Sequence, residues 1–319
     1  MLKYILKRIG ISILLLLGVS FILYALLRCM PTDFVEQKII ALATSGNTVT
    51  KEFKEALYKA YGLDGNVIQG YLNWLGNICR LDFGNSFKSQ RPVLQEIFSA
   101  DRMGTSFIVA AIATVFEFLI AIPLGITAAT HQYSFRDYLV TVLVLIGISL
   151  PSFFFGQLLK GIFANTLGWF PPEGMFDAGI THANIFEWIS DYAAHLFLPV
   201  LTVVILSIGS RMRMTRTNML EVLNSDYIRT ARAKGLPENT VIYKHAFRNT
   251  LIPLVTSLAG LIPGLFSGAM ITESVFKLSG IGQYALEAMQ MGDIPVIMTY
   301  NMFLALLSVT GVLLSDLMY

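Results

Sequence analysis

Residues 227–253, YIRTARAKGLPENTVIYKHAFRNTLIP, form a basic stretch that lies between two strongly apolar runs of the chain. Between Arg211 and Arg248 the sequence holds eight Lys and Arg residues against three Asp and Glu residues. A polar loop of this size with an excess of positive charge, placed between two membrane spans, belongs on the cytoplasmic side.

The same stretch contains signals for two short helices. Ser225 or Asp226 suits the N-cap of a first helix over 227–234. Gly235 favours a left-handed helix end, and Pro237 favours the first turn of a following helix. The pattern therefore predicts a folded cytoplasmic hairpin that binds another molecule; a solvated basic loop that only fixes the topology is the alternative.

The composition is too apolar for an ordinary soluble protein, because 55% of the residues are hydrophobic and 14% are charged. The mean hydropathy is +0.63. A membrane-spanning helix needs about 20 mostly apolar residues, and six runs meet this need. Their ranges are 9–27, 103–127, 139–164, 196–210, 251–271 and 294–317. We therefore expect an all-α integral membrane protein with six spans.

The orientation follows from basic residues. Lys3, Lys7 and Arg8 precede the first span and hold the N-terminus in the cytoplasm. Six spans then return the C-terminus to the cytoplasm, and 28–102 and 165–195 lie outside. The second of these loops contains no Lys or Arg, as expected for an outer loop.

The long outer loop is expected to be structured. Residues 51–61 and 67–78 have the apolar spacing of short amphipathic helices. We divide the chain into residues 1–102, the first span with this loop, and residues 103–319, a five-helix core. The core carries the hairpin over 211–250.

The sequence shows no motif that is typical of a catalytic, metal or nucleotide site. Cys29 and Cys79 would both lie outside, but two cysteines without a framework are more typical of unpaired thiols than of a disulfide. No Cys or His spacing indicates a metal site. There is no Gly-Lys dipeptide, and hence no GxxxxGK phosphate loop, and no GxSxG or HExxH motif. The chain is therefore not expected to be an enzyme. It is a passive pore, a secondary transporter, or one subunit of a machine whose motor is another chain.

Two ionisable residues fall within predicted spans. At about 1.5 Å per residue, Glu117 and Lys160 lie at different depths and do not pair. Lys160 is expected to extend to the outer headgroups. Glu117 is expected to face the bundle interior, either on a translocation path or in a hydrogen bond to a neighbouring helix.

Prolines and small residues mark the other path candidates. Pro151 and the pair Pro263-Gly264 are placed to kink pore-lining helices. Ser267 and Gly268 follow on the same predicted segment. A packing kink outside the path is the alternative for each proline.

Several segments in order resemble one family. DYIRTARAKGL (226–236) and HAFRN (245–249) with Pro253 are similar to the cytoplasmic coupling motif of bacterial ABC importer permeases, in the oligopeptide/dipeptide/nickel branch. The loop YGLDGNVIQGYLNWLGNICRLDFGNSF (61–87) resembles the outer loop of B-type subunits. LGWFPPEG (167–174) and ESVF (273–276) resemble later family segments.

The resemblance implies a permease subunit of an ATP-driven importer in a bacterial cytoplasmic membrane, surrounded by lipid. Its implied partners are a C-type permease, two cytoplasmic subunits that bind ATP and Mg, an extracytoplasmic binding protein and a peptide substrate. No cofactor in this chain and no nucleic acid are implied. Peptide import by alternating access is the leading hypothesis. A nickel-type metal-chelate importer of the same branch is the alternative, and a secondary transporter is a weaker one.

The resemblance also suggests which residues couple the chain to the ATP-binding subunits. Gly235 would be structural, and the others would contact the motor. The complete set is Arg229, Thr230, Ala231, Ala233, Lys234, Gly235 and Leu236.

Overall fold

The computed structural model describes residues 2–30, 33–45, 49–177 and 184–318, so that 178–183 of the predicted outer loop lie outside the described residues. Within these ranges the chain is helical, and an isolated bridge joins Asn85 to Pro92. The helices are α1 (Leu2–Arg28), α2 (Phe34–Thr44), α3 (Lys51–Ala60), α4 (Val67–Cys79), α5 (Val93–Ile97), α6 (Ala100–Thr130), α7 (Phe135–Ser149), α8 (Ser152–Leu159), α9 (Ile185–Leu223), α10 (Asp226–Ala233), α11 (Arg248–Ala259), α12 (Leu261–Ser267), α13 (Met270–Val275), α14 (Ile281–Met291) and α15 (Ile294–Met318). Two π-helical segments, Lys160–Thr166 and Thr240–Phe247, follow α8 and precede α11. The predicted all-α fold is confirmed.

Among the described residues, four helices are long and apolar enough to cross a membrane, namely α1, α6, α9 and α15. The predicted spans 139–164 and 251–271 are interrupted helices instead. The first is divided between α7 and α8, and the second among α11, α12 and α13. Six crossings and cytoplasmic termini stay predictions, which count these two segments as interrupted spans.

Helix α9 is much longer than its predicted span of 196–210. It has 39 residues and a length of about 58 Å. The Asn184 side chain caps its N-terminus by accepting a hydrogen bond from the Glu187 amide. Residues 185–195 are therefore helix rather than loop, and 211–223 continue α9 rather than belonging to the hairpin.

The long helices α6 and α9 pack closely along each other. At Gly125 of α6, an added Cβ would lie 2.7 Å from Thr215 Cβ and 2.9 Å from the Met212 carbonyl oxygen. Buried alanines, including Ala121 and Ala128, continue this small-residue face. Small residues let two membrane helices approach closely, so Gly125 fixes the distance between α6 and α9.

The outer segment packs on the membrane helices. The two predicted amphipathic helices are confirmed as α3 and α4, whereas α2 and α5 were not predicted. A buried cluster joins this segment to α1 and α15; its members are Tyr24, Val35, Leu63, Tyr71, Ile294 and Met298. Cys29 and Cys79 are both free and exposed. The division at residue 102 stays a prediction.

Candidate functional site

The predicted hairpin is present, and its turn has the expected backbone. Helix α10 begins after Ser225, whose hydroxyl donates to the Val222 carbonyl at 2.6 Å instead of capping the new helix. Gly235 has φ +76°, in the left-handed region. The Gly235 amide donates to the Arg232 carbonyl at 2.9 Å, which closes the end of α10. The helix therefore stops where the sequence predicts.

One face of α10 is built into the membrane bundle. Ile228 and Ala231, spaced three residues apart on that face, are buried. Their cluster includes Ile126 and Ala129 of α6, Met219 of α9, and Val241 and Ala246 of the second limb. This corrects the prediction that Ala231 contacts the motor, because its side chain is covered by the chain's own helices.

The opposite face of the hairpin is exposed. Five of the predicted contact residues lie on it, together with Gly235, and they are Arg229, Thr230, Ala233, Lys234 and Leu236. Arg232 joins the two limbs, since its guanidinium donates to both Glu238 oxygens at 2.7 and 3.2 Å. These hydrogen bonds hold the pKa of the Glu238 carboxyl below its ordinary value. The sequence did not single out this pair, although its opposite charges flank the Gly-Leu-Pro turn.

A second pair ties α9 to α7 at the predicted cytoplasmic end of the bundle. Arg216 donates to both oxygens of Asp137, at 3.1 and 2.9 Å. Asp137 is nearly fully buried and lies in the first turn of α7. A bidentate pair of this kind is more restrictive in geometry than a single contact, so it holds α7 against α9.

Glu117 faces the bundle interior, as predicted. Arg211 of α9 donates to Glu117 Oε1 at 3.0 Å, and both side chains are largely buried. The guanidinium also lies 4.6 Å from the centre of the Phe118 ring. This arrangement matches the structural alternative for Glu117, a bond to a neighbouring helix.

Lys160 does not reach the outer headgroups, which corrects the prediction. It is buried, and its ammonium donates to Glu173 Oε1 at 2.7 Å and to the Val275 carbonyl at 3.2 Å. The outer loop folds over the lysine and supplies a carboxylate there. Lys277 contacts the second oxygen of Glu173 at 2.6 Å. The prediction that Glu117 and Lys160 do not pair is confirmed.

The predicted kinks take different forms. Pro151 has ψ 136° and separates α7 from α8 completely. Pro263 lies inside α12 without breaking it, and the break comes at Gly268, with φ +69° and ψ 157°. The pair Pro263-Gly264 is therefore not the bend in this segment. Ser267, beside the break, accepts a hydrogen bond from the Tyr300 hydroxyl at 2.6 Å through its carbonyl oxygen.

The two breaks meet at one pocket of about 450 Å³. Its lining comes from the first residue of α8, from α9 and from the start of α13, and comprises Ser152, Val203, Leu206, Ser207, Ala269, Met270, Ile271 and Thr272. Of the predicted path residues, Pro151 and Gly268 adjoin this lining in sequence, whereas Glu117 and Pro263 are not among the residues that line it. The α9 residues of this lining belong to a continuous apolar run, so the sequence gives no signal that they line a pocket.

Glu273 holds the Gly268 break in place. Its carboxyl group is fully buried and accepts from the Ser106 hydroxyl at 2.7 Å, the Gln283 amide at 2.9 Å and the Ala269 amide at 3.1 Å. These contacts join α6, α13 and α14 at one point. The motif ESVF contains this residue, but its partners come from distant parts of the sequence.

A second polar cluster lies at the outer end of α9. His195 is buried, with Nδ1 2.9 Å from Asp191 Oδ1 and Nε2 3.7 Å from Asp177 Oδ1. Ligand atoms of these three residues lie within 4.8 Å of one another. The sequence predicts no metal site, and pairing of one imidazole with two carboxylates accounts for the arrangement.

A helical membrane protein with interrupted helices around a pocket and an exposed helical hairpin has the architecture of a membrane permease. Residues 121–319 match the family described as binding-protein-dependent transport system inner membrane component. Residues 1–119 match the N-terminal part described for the same membrane components. The chain belongs to this family of transport permeases, and it is a multi-pass protein of the plasma membrane.

Individual relatives are similar in sequence over the whole chain. It is 34% identical over 319 residues to the oligopeptide transport system permease protein AppB of Bacillus subtilis strain 168, covering 100% of this chain and 97% of the relative. It is 32% identical over 334 residues to the dipeptide transport system permease protein DppB of Alkalihalophilus pseudofirmus, with coverage of 100% and 97%. A solved structure titled as inward-facing conformations of the MetNI methionine ABC transporter is similar in fold, with a TM-score of 0.51 and 14% identity over 68% of this chain and 94% of that one.

Proposed function

We propose that the chain is one of two transmembrane subunits of an ATP-driven importer and that its cargo is peptides. The names of its full-length relatives, oligopeptide and dipeptide transport permeases, support the cargo. The observation that carries the proposal is the hairpin, which has one face locked into α6 and α9 and the other face exposed.

The partners in this proposal are a second permease of the C-type, two cytoplasmic ATP-binding subunits and an extracytoplasmic binding protein. ATP and Mg bind to the motor subunits. Closure of the motor displaces the hairpin, and the spans change from inward-open to outward-open. Peptide passes between the two permeases, and hydrolysis resets the state. ATP shifts this equilibrium because it binds one conformation better than the other.

The contact with the motor falls on the exposed face of the hairpin. Arg229 and Lys234 present positive charge there, and Thr230, Ala233 and Leu236 supply short or apolar contacts. The bidentate Arg232–Glu238 pair keeps the two limbs at a fixed angle. A rigid hairpin transmits displacement, whereas a flexible loop would absorb it.

Replacement of Gly235 tests the proposal. Its φ of +76° strains any L-residue, and an added Cβ has nothing within 4 Å, so Gly235→Val changes backbone conformation without a steric clash. The strain is about 1–3 kcal/mol, and Asn tolerates this region better than Val. We expect Gly235→Val to lower peptide uptake per ATP hydrolysed in the reconstituted complex, with Gly235→Asn between Val and the wild type.

Gly168→Val is the matched control. Gly168 also has positive φ, +64°, and open space around its Cβ position, but it lies in the outer loop. It should keep the uptake-to-hydrolysis ratio of the wild type. Normal coupling in Gly235→Val, or equal loss in both variants, would contradict the role of the hairpin.

A further inference from the structure

We infer that the pocket between the two helix breaks binds an apolar side chain of the transported peptide, so that this subunit itself selects cargo. This inference rests on the proposed function and adds a binding site to it. The site is the space between Leu206 of α9, Ser152 of α8 and Met270 at the start of α13.

The α9 wall of the pocket lies near the middle of the membrane. Leu206 is ten residues from Arg216, whose pair with Asp137 lies at the predicted cytoplasmic end of the bundle, and eleven residues from His195 at the outer polar cluster. Both separations are about 15 Å along α9. The hydrocarbon core is about 30 Å thick, so Leu206 sits close to the bilayer centre.

Lipid does not fit the pocket wall. At Gly268 and Ala269 the backbone leaves helical geometry, with ψ values of 157° and 71°. Pro151 interrupts the wall on the other side. Irregular backbone at membrane depth occurs where it is buried in protein or lines a water-filled cavity, and not where it faces lipid. Two breaks that adjoin one pocket therefore exclude lipid from this surface and leave a contact with protein or a water-filled cavity.

The chemistry of the lining selects the occupant. None of the described residues that line the pocket is charged. Val203, Leu206, Met270 and Ile271 supply apolar surface, while the Ser207 hydroxyl donates to the Val204 carbonyl of its own helix at 3.1 Å. The volume of about 450 Å³ is within the range of small-ligand sites, roughly 300–1,000 Å³. The space is large enough for an apolar side chain such as that of Leu or Phe, and its uncharged lining disfavours a charged one.

Filling the pocket tests the inference. Uptake of triglycine and of trileucine is measured in vesicles that contain the complete importer, with the wild-type chain or with Leu206→Trp. Because apolar pockets discriminate by about 10- to 200-fold per methylene, we expect Leu206→Trp to lower the trileucine-to-triglycine uptake ratio at least tenfold. Leu14→Trp, on an exposed part of α1, should keep the wild-type ratio.

The outcomes separate the pocket from the proposed function. If the wild-type importer takes up neither peptide, the peptide function fails and the pocket inference fails with it. If it takes up both and Leu206→Trp leaves the ratio unchanged, or lowers both rates equally, the pocket inference alone is overturned.

A crosslinking measurement decides the case in which Leu206→Trp does not assemble. In a chain with Cys29→Ser and Cys79→Ser, Leu206→Cys or Leu14→Cys is exposed to a peptide that carries a bromoacetyl group on one side chain. Alkylation of the thiol with loss of bromide at position 206 and not at 14, suppressed by excess trileucine, is the expected result. Equal labelling at both positions, or none at 206, would overturn the inference.

Discussion

The substitution Gly280→Ala tests how tightly the buried Glu273 holds the outer end of the bundle. Gly280 has φ −96°, which any residue adopts, so the change introduces no backbone strain. Its added Cβ, however, would lie 2.3 Å from Glu273 Oε2, 2.5 Å from Glu273 Cδ and 2.6 Å from the Ser106 hydroxyl. Either the carboxyl group or the α14 start must move.

The expected size of the effect follows from those contacts. Forcing one extra carbon into a packed site destabilises by about 1–3 kcal/mol. A displaced carboxyl also loses at least one of its bonds to Ser106, Ala269 and Gln283, and a buried polar group left unsatisfied adds about 1–3 kcal/mol. We therefore expect Gly280→Ala to destabilise the chain by about 2–6 kcal/mol. This is a large fraction of the typical 5–15 kcal/mol stability of a protein.

The assay is unfolding by SDS in mixed micelles, followed by loss of helical circular dichroism. Gly161→Ala is the matched control, because an added Cβ at Gly161 has nothing within 4 Å. The free energy of unfolding of Gly161→Ala should lie within about 1 kcal/mol of the wild-type value. A Gly280→Ala protein as stable as the Gly161→Ala protein would refute the idea that the carboxyl group is held rigidly.

Two further predictions concern the ion pairs. Glu117→Gln removes the negative charge from a buried pair with Arg211 and should destabilise the chain by about 3–5 kcal/mol. The double variant with Arg211→Met should recover most of this stability in the same unfolding assay. No recovery would contradict the pairing. The Lys160 and Lys277 ammonium groups hold the pKa of Glu173 below its ordinary value, so its stabilising contribution is complete above about pH 4.3 and is lost as the pH falls through the lowered pKa. In an acid titration, the free energy of unfolding of Glu173→Gln should fall less steeply with decreasing pH than that of the wild type. The same slope in both proteins would contradict the role of Glu173.

The elements that could be predicted depend on neighbouring residues in the sequence. Gly235 and Pro237 define the hairpin turn because helix ends are determined locally. The amphipathic helices α3 and α4 follow from apolar spacing, and their N-caps Thr50 and Asn66 are local as well. The apolar runs behind α1, α6 and α15 are long enough to identify without tertiary information.

What could not be predicted depends on partners far along the chain. Arg211 meets Glu117 from 94 residues away, and Lys160 is buried because a loop residue, Glu173, folds over it. The break at Gly268 depends on a carboxyl that binds the Ala269 amide, so the proline at 263 was a misleading signal. Ala231 is small enough to contact a partner protein, but its side chain packs in the buried cluster around Met219. The sequence does not show which face of α10 this cluster covers.

The unbroken helix α9 connects the two proposed functional surfaces, the hairpin and the pocket. Met219 packs in the hairpin cluster, and Leu206 lines the pocket thirteen residues earlier on the same helix, a distance of about 20 Å. The walls opposite Leu206 are interrupted at Pro151 and Gly268, whereas α9 runs through without a break. A rotation of about 10° about the hairpin end would displace Leu206 by about 3.5 Å over this length. That displacement is comparable with the width of a methyl group. A push on the hairpin can therefore open or close the pocket while α8 and α13, which lie beyond the two breaks, stay in place.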